Sequence, residues 1–248
     1  KLKTIVSTRG MLSAHALAIK SWKKKSFLFL QNRLKAYEHV IFHVTNDEER
    51  QEVIKRIRRF QDISVIPNLP RKAVSAKGSR IDKESGTVKL ISLGRIAEEK
   101  GTLVGIEALK NLEGNIELDL FGTIYDQNYW EKCLSVIEKL PPTIRVDYKN
   151  MLEPSEVIST LQEYHFMLLP SKGENYGHSI VESFIASRPV IISKNTPWKN
   201  LQEKNIGFDV DENVLNQAIQ KAVDMNQEYY SQMIESIHKE LDNLLSLE

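Results

Sequence analysis

The 248-residue sequence has a single cysteine, Cys133. A lone cysteine excludes an internal disulfide framework and fits a reducing compartment. Set in a helix-like stretch, it reads as a buried structural thiol rather than a nucleophile. There is no run of about 18 apolar residues, so no segment is suited to cross a bilayer as a helix, and no signal-peptide pattern is recognisable. No G-x-G-x-x-G follows a strand-like segment, which argues against a dinucleotide-dependent oxidoreductase. His15, His39, His43 and His165 share no metal-ligand spacing, so no metal and no other bound cofactor is expected.

The overall charge is also small, +1, but it hides an asymmetry. Residues 1–60 carry 14 Lys and Arg against 5 Asp and Glu, a balance of +9, and the remainder carries −8. Opposed halves of this kind suggest two domains, the basic one facing nucleic acid, a phosphorylated ligand or a membrane surface. In that half Lys20, Lys23, Lys24, Lys25, Arg33 and Lys35 are interleaved with Trp22, Phe27 and Phe29, and "KRIRR" follows at 55–59. The pattern suits either a solvated helix face or peripheral contact with an anionic membrane. No nucleic-acid recognition motif accompanies it, so nucleic acid is not expected as a partner.

Strand-like segments at 3–7, 39–45, 63–67, 88–94, 116–122, 144–147, 165–170, 189–193 and 207–210 alternate with helix-like ones at 12–28, 29–38, 47–59, 101–111, 127–139, 154–163, 178–187, 211–223 and 226–245. The alternation predicts an α/β fold with parallel sheets, and the nearly all-apolar strands predict helices on both faces. The stretch "NLPRKAVSAKGSRIDKESGT", 68–87, lacks apolar periodicity and reads as a linker. The expected organisation is a partial amino-terminal domain over 1–70, a linker over 71–87, a complete domain over 88–210, and final helices over 211–248 packing back toward the first domain. The chain opens at Lys1 in what reads as a strand in mid-fold and closes on "LE", which resembles a cloning remnant. An amino-terminal portion of a longer protein is therefore expected to lie outside it.

Two loops carry candidate chemistry. In "SLGRIAEEKG", 92–101, a strand ends, Gly94 permits a turn, and Arg95 and Lys100 follow at the edge where open parallel sheets bind ligands. A planar guanidinium and a compact ammonium suit a diphosphate; the plainer reading is two surface cations beside Glu98 and Glu99. In "SKGENYGHSIVES", 171–183, a loop runs into a helix whose free N–H groups favour an anion, and Gly177 lets backbone approach a phosphate. Glu174 and Glu182 could accept hydrogen bonds from vicinal sugar hydroxyls, or be a loop charge and an exposed helix residue. His178 could touch phosphate but makes a poor general base on its own.

Gly94-Arg95…Lys100-Gly101 and Glu174-Asn175-Tyr176-Gly177…Glu182 together resemble the G-R…K-G loop and E-x(7)-E motif of glycosyltransferase family 4, retaining enzymes of the GT-B fold. Tyr176 stands where Phe is usual. "VIPNLP", 65–70, resembles that family's "VIPNG" junction, with Leu69 in place of Gly, and "VSTRGML", 6–12, resembles its "SPRGML" segment. The likeness spans about residues 4–210 in the same order. It implies a GT-B fold of two Rossmann-like domains, here with a truncated first domain. The implied activity is a retaining, hexosyl-type glycosyltransferase moving sugar from a nucleotide-diphospho-sugar to a saccharide or lipid-linked acceptor, as in bacterial cell-surface polysaccharide or lipopolysaccharide synthesis. The site would lie in the cytoplasm or on the inner face of the membrane.

The resemblance also assigns roles. Arg95 and Lys100 would neutralise the donor diphosphate, Glu174 would hold the sugar hydroxyls near the reacting carbon, and Glu182 would grip the ribose. Gly94, Ser171, Asn175, Tyr176, Gly177, His178 and Ser179 would line sugar and phosphates, with Asn150 and Met151 flanking the base. Alternatives kept open are a GT-B nucleotide-sugar epimerase and a nucleotide-binding fragment without turnover.

Overall fold

The computed structural model describes residues 3–12, 16–17, 21–66 and 81–245. His15, Lys20, residues 13–15 and 18–20 of the helix expected over 12–28, the "PNLP" end of the junction motif, most of the expected linker and the final "LE" lie outside these residues. The chain forms two compact units, Lys1–Leu69 and Pro70–Glu248.

In the first unit, strands β1 (Thr4–Ser7), β2 (Val40–Val44) and β3 (Asp62–Val65) form a parallel sheet in that order. Helix α1 (Ser21–Arg33) and helix α2 (Asp47–Arg56) accompany it. Val40, Phe42, Val44, Val53 and Ile57 form its core. Asn46 caps α2 by accepting a hydrogen bond from the Glu49 N–H at 2.8 Å, the pairing an N-cap side chain is placed to make. Glu49 itself is buried and fully engaged. Its carboxylate accepts from Thr8 Oγ1, the Gly10 N–H, the Thr45 N–H and Thr45 Oγ1. Burial alone would raise this carboxyl; the hydrogen bonds outweigh burial and hold it below its ordinary range. One buried acid thus ties the "TRG" turn after β1 to the end of β2.

The second unit contains the six expected parallel strands β4 (Thr87–Leu93), β5 (Asn115–Phe121), β6 (Ile144–Tyr148), β7 (Phe166–Leu169), β8 (Val190–Ser193) and β9 (Gly207–Val210). Their order is β6-β5-β4-β7-β8-β9. Alternate residues feed two cores: Leu90, Phe166, Leu168 and Ile191 on one face, Ile91, Met167, Leu169 and Ile192 on the other. The first face is covered by α3 (Thr102–Glu107), α4 (Gln127–Ile137) and α7 (Leu215–Asp224), the second by α5 (Val157–Leu161) and α6 (His178–Ile185). All four β7 side chains are buried, which is why "FMLL" is apolar without alternation. Cys133 is fully buried in α4, where burial pushes its thiol up to about 11.

The last helix, α8 (Gln227–Leu245), packs on this second unit. Tyr230 and Met233 enter one core and Ile237 the other. The Tyr230 hydroxyl donates to the His165 carbonyl at 2.9 Å. Lys83, only 2% exposed, donates from its ammonium to the carbonyls of Glu84, Val223 and Met225 and so closes the end of α7.

Candidate active site

The strand order of the second unit reverses between β4 and β7. Successive strands run outward from β4 through β5 to β6, and then from β7 through β8 to β9 on the other side. At such a switch point the loops after the two central strands diverge and leave a crevice beyond their carboxyl ends. The two sequence motifs occupy these loops.

They are laced together. The Glu99 carbonyl accepts from the Lys172 N–H at 2.9 Å and from Ser171 Oγ at 3.0 Å. Lys172 pairs with Glu98, and Lys100 Nζ meets Glu174 Oε1 at 2.7 Å. The approach depends on Gly101, whose φ is +71°. A Cβ there would lie 2.0 Å from the Pro170 carbonyl oxygen, so only glycine lets the loop after β4 press against the end of β7. The Lys100 and Glu174 side chains are 24% and 12% exposed, leaving both charges reachable but largely shielded. A shielded pair interacts more strongly than a surface one, and either charge can be drawn off by a ligand of the opposite sign.

Arg95 is held differently. Its guanidinium pairs with Glu99 at 2.9 Å and lies over the Tyr125 ring, 5.1 Å from the centroid. Tyr125 reaches it because the loops after β4 and β5 continue to pair beyond the strands, with Ile96 bridged to Ile124 and the Tyr125 N–H donating to the Ile96 carbonyl. The cation is therefore pre-aimed above the same edge as Lys100.

Beyond Glu174 the chain turns at Gly177, in the left-handed region at φ +79°, and enters α6. A Cβ on Gly177 would sit 2.7 Å from Ile180 Cδ1. Among the described residues no side chain caps this helix, so the amino-terminal N–H groups at His178 and Ser179 are presented at the loop end. Ile180, Val181, Phe184 and Ile185 are buried and anchor the helix, each contributing roughly 1.5–3 kcal/mol of apolar burial. Glu182, half-buried, lies one turn beyond His178 on the same face. Trp198 braces the loop from outside. Its indole N–H donates to the Tyr176 carbonyl at 2.7 Å, and its ring packs on Phe184 and Tyr176. Tyr176 also stacks near His178, and burial raises its hydroxyl above the ordinary phenol value.

The structure thus brings Gly94, Arg95, Lys100, Glu174, Asn175, Tyr176, Gly177, His178 and Ser179 to one edge. Ser171 is fully buried and its hydroxyl is spent on the Glu99 carbonyl, so it builds the wall instead of facing the crevice. Asn150 and Met151 sit after β6, two strands from β4, roughly 10 Å across the sheet. The Asn150 carbonyl accepts from the Gly122 N–H at 2.8 Å, and Met151 is 69% exposed. Sequence reasoning overlooked Tyr125 and Trp198, and it gave Glu99 only as a neighbour of two surface cations. The carboxyl-edge rule that located Arg95 would have found Tyr125 after β5; nothing local to "NTPWKN" marks Trp198. Among the described residues no three His, Cys, Asp or Glu side chains gather as metal ligands.

The family model described as Glycosyl transferases group 1 matches residues 77–240. Comparison with curated proteins finds no match. Among solved structures, Alr3699/HepE of Anabaena, determined with UDP and glucose, is 16% identical with a TM-score of 0.65, covering 98% of this chain and 71% of its own. WaaG, a glycosyltransferase of lipopolysaccharide biosynthesis, is 16% identical with a TM-score of 0.63, covering 82% and 59%. A glycosyltransferase from Rickettsia africae is 20% identical with a TM-score of 0.64, covering 88% and 62%. This chain therefore spans about three fifths to seven tenths of their length. These likenesses establish the fold class as GT-B.

Proposed function

The chain belongs to the group 1 glycosyltransferase family, and we propose that it transfers a sugar from a nucleotide-diphospho-sugar to a saccharide or lipid-linked acceptor with retention at the anomeric carbon. The observation that carries this reading is the convergence at the switch point: two cations and an uncapped helix amino-terminus on one edge, with a shielded carboxylate between them.

Each group has a chemical task. When the bond between the anomeric carbon and the diphosphate oxygen breaks, negative charge grows on the departing nucleoside diphosphate. Arg95, Lys100 and the N–H groups of His178 and Ser179 lie on the edge where that charge grows, and the two cations exchange their carboxylate partners Glu99 and Glu174 for the diphosphate and then offset its developing charge. Diphosphate binding draws Lys100 away from Glu174, and the freed carboxylate then accepts hydrogen bonds from sugar hydroxyls beside the reacting carbon. Glu182, one turn into α6, is suited to a ribose, and the exposed Met151 edge to a base. The cations do the work a metal does elsewhere, and no metal is required. WaaG acts in lipopolysaccharide biosynthesis, and synthesis of a bacterial cell-surface glycan is the role we assign here. A single, buried free thiol suits the reducing cytoplasm as the place of reaction.

Calorimetric titration of this chain with UDP, GDP and ADP, and with their common sugars, tests the donor half. One nucleotide should bind, and Glu182→Ala should weaken it roughly tenfold or more through lost ribose hydrogen bonds. Absence of binding by all three, or an unchanged affinity in the variant, would remove the donor-site or the ribose assignment respectively.

A further inference from the structure

Glycine at position 177 solves one problem and creates another. Its left-handed φ of +79° lets the chain turn into α6, where a Cβ would meet Ile180 Cδ1 at 2.7 Å. Glycine also adopts φ of either sign at little cost, so nothing in the residue itself stops the Tyr176–Gly177 peptide from rotating half a turn. One bond from outside the loop holds that peptide: the Trp198 indole N–H donates to the Tyr176 carbonyl at 2.7 Å. The peptide is trans, and in a trans peptide the N–H points opposite to the C=O. With the Tyr176 carbonyl committed to Trp198, the Gly177 N–H is turned to the other side of the loop, and no acceptor among the described residues takes it.

Trp198 is itself pinned on both sides along the chain. Its carbonyl accepts from Oγ1 of the buried Thr196 at 3.3 Å. Asp209, buried on β9, accepts from the Asn200 N–H at 3.1 Å and from the Leu201 N–H at 2.8 Å. Asn200 is held at φ +60°, a left-handed conformation that costs a non-glycine residue energy and persists where the surroundings over-determine it. The indole ring packs on Phe184 with centroids 5.4 Å apart, so its N–H is fixed in direction as well as in place.

We propose that Trp198 is a positioning residue for sugar transfer: its indole fixes the Tyr176–Gly177 peptide so that the Gly177 N–H joins those of His178 and Ser179 on the departing diphosphate, and Asp209 holds the loop that carries the indole. The inference rests on the donor-site reading above and adds to it what keeps one of its donors aimed. Consecutive N–H groups at a turn entering a helix form a positively polarised concavity for phosphate oxygens. Half a turn of the peptide would put the Tyr176 carbonyl, with its partial negative charge, where the Gly177 N–H had been. A single flip thus removes a donor and adds a repulsion, and the Trp198 hydrogen bond is what opposes it.

Tyr176–Gly177 is the one Tyr-Gly pair in the sequence, so labelling with carbonyl-13C tyrosine and 15N glycine leaves a single carbonyl–amide correlation in the NMR spectrum, from this peptide alone. In the unsubstituted chain that signal should be sharp. Its proton should shift downfield on saturation with whichever of UDP, GDP and ADP binds, and far less with the matching monophosphate. Trp198→Phe keeps a ring on Phe184 and removes the N–H. It should split, broaden or displace the signal with no nucleotide present. By calorimetry it should weaken the diphosphate about tenfold or more, through one lost hydrogen bond to a charged group, and leave the monophosphate within about twofold. Asp209→Asn, which keeps the side-chain shape, should act in the same direction by less. Failure of all three diphosphates to bind the unsubstituted chain would remove the donor-site reading and this inference with it. If one binds but the Tyr-Gly signal ignores it, or if Trp198→Phe leaves the free signal and the preference for diphosphate unchanged, the donor site stands and the positioning role alone is overturned. Equal losses of monophosphate and diphosphate in Trp198→Phe would overturn it too, by making the indole a structural brace only.

Discussion

His165 stands immediately before β7 and is 4% exposed. Its imidazole replaces a rung of the β4–β7 ladder. The Lys89 N–H donates to Nδ1 at 2.9 Å, Nε2 donates to the Asp82 carbonyl at 3.0 Å, and the His165 N–H donates back to the Lys89 carbonyl. Nδ1 must therefore be an acceptor and the ring neutral. A proton on Nδ1 would point one donor at another inside the sheet, between the two strands whose loops build the site. Burial, with smaller contributions from Lys83, Lys89 and Arg188, lowers the imidazole from 6.5 to about 4. The sign follows from which state takes the proton first. The unfolded chain is protonated near pH 6.5 and the folded one only near pH 4, so stability present above about pH 6.5 is lost as pH falls toward 4. The difference corresponds to about 3 kcal/mol in full, of which about 2 kcal/mol disappears between pH 7 and pH 5.

The assay is urea unfolding followed by tryptophan fluorescence in a Trp22→Phe background, where Trp130 and Trp198 both report the second unit. Carboxylates elsewhere also titrate, so the measured quantity is the difference in pH dependence between this protein and a non-titrating His165→Asn variant. The variant should lose about 2 kcal/mol less between pH 7 and pH 5. Identical pH profiles would refute the claim that a buried neutral imidazole holds the central strands together.

Three further outcomes are expected. Gly101→Ala should destabilise the second unit by about 2–4 kcal/mol in denaturant unfolding, combining a left-handed backbone with overpacking against the Pro170 carbonyl; a loss below about 0.5 kcal/mol would show that the loop has room to shift. Lys100→Ala should slow sugar release from a labelled donor by roughly 10²-fold while changing donor affinity far less, since its charge matters most as the diphosphate departs; equal losses in both would make it a binding residue only. Cys133 should resist thiol reagents in the native protein at pH 8 and react fully in denaturant, because a buried thiol held up near 11 is almost never a thiolate there.

The positions of the strands along the chain were legible because short, mostly apolar segments, of which "FMLL" is the clearest, alternate with longer polar-faced helices, and that pattern survives any tertiary arrangement. The two motifs were legible for a related reason: a loop after a buried strand, a glycine and a few charged residues lie within ten positions of one another. Their meeting was not. Lys100 and Glu174 are 74 residues apart, and only the reversal of strand order between β4 and β7 makes their loops neighbours. Burial decided Ser171 against the expectation of a residue facing the ligand, because lacing the loops consumes its hydroxyl. In α1 the mixture of cations and aromatics was legible as an exposed face, but which side of the helix turns inward was not: only the contacts of Leu28 and Asn32 fix it. Local pattern specifies which elements form; which residues share an edge depends on pairings between segments far apart in the chain, and these carry no local signal.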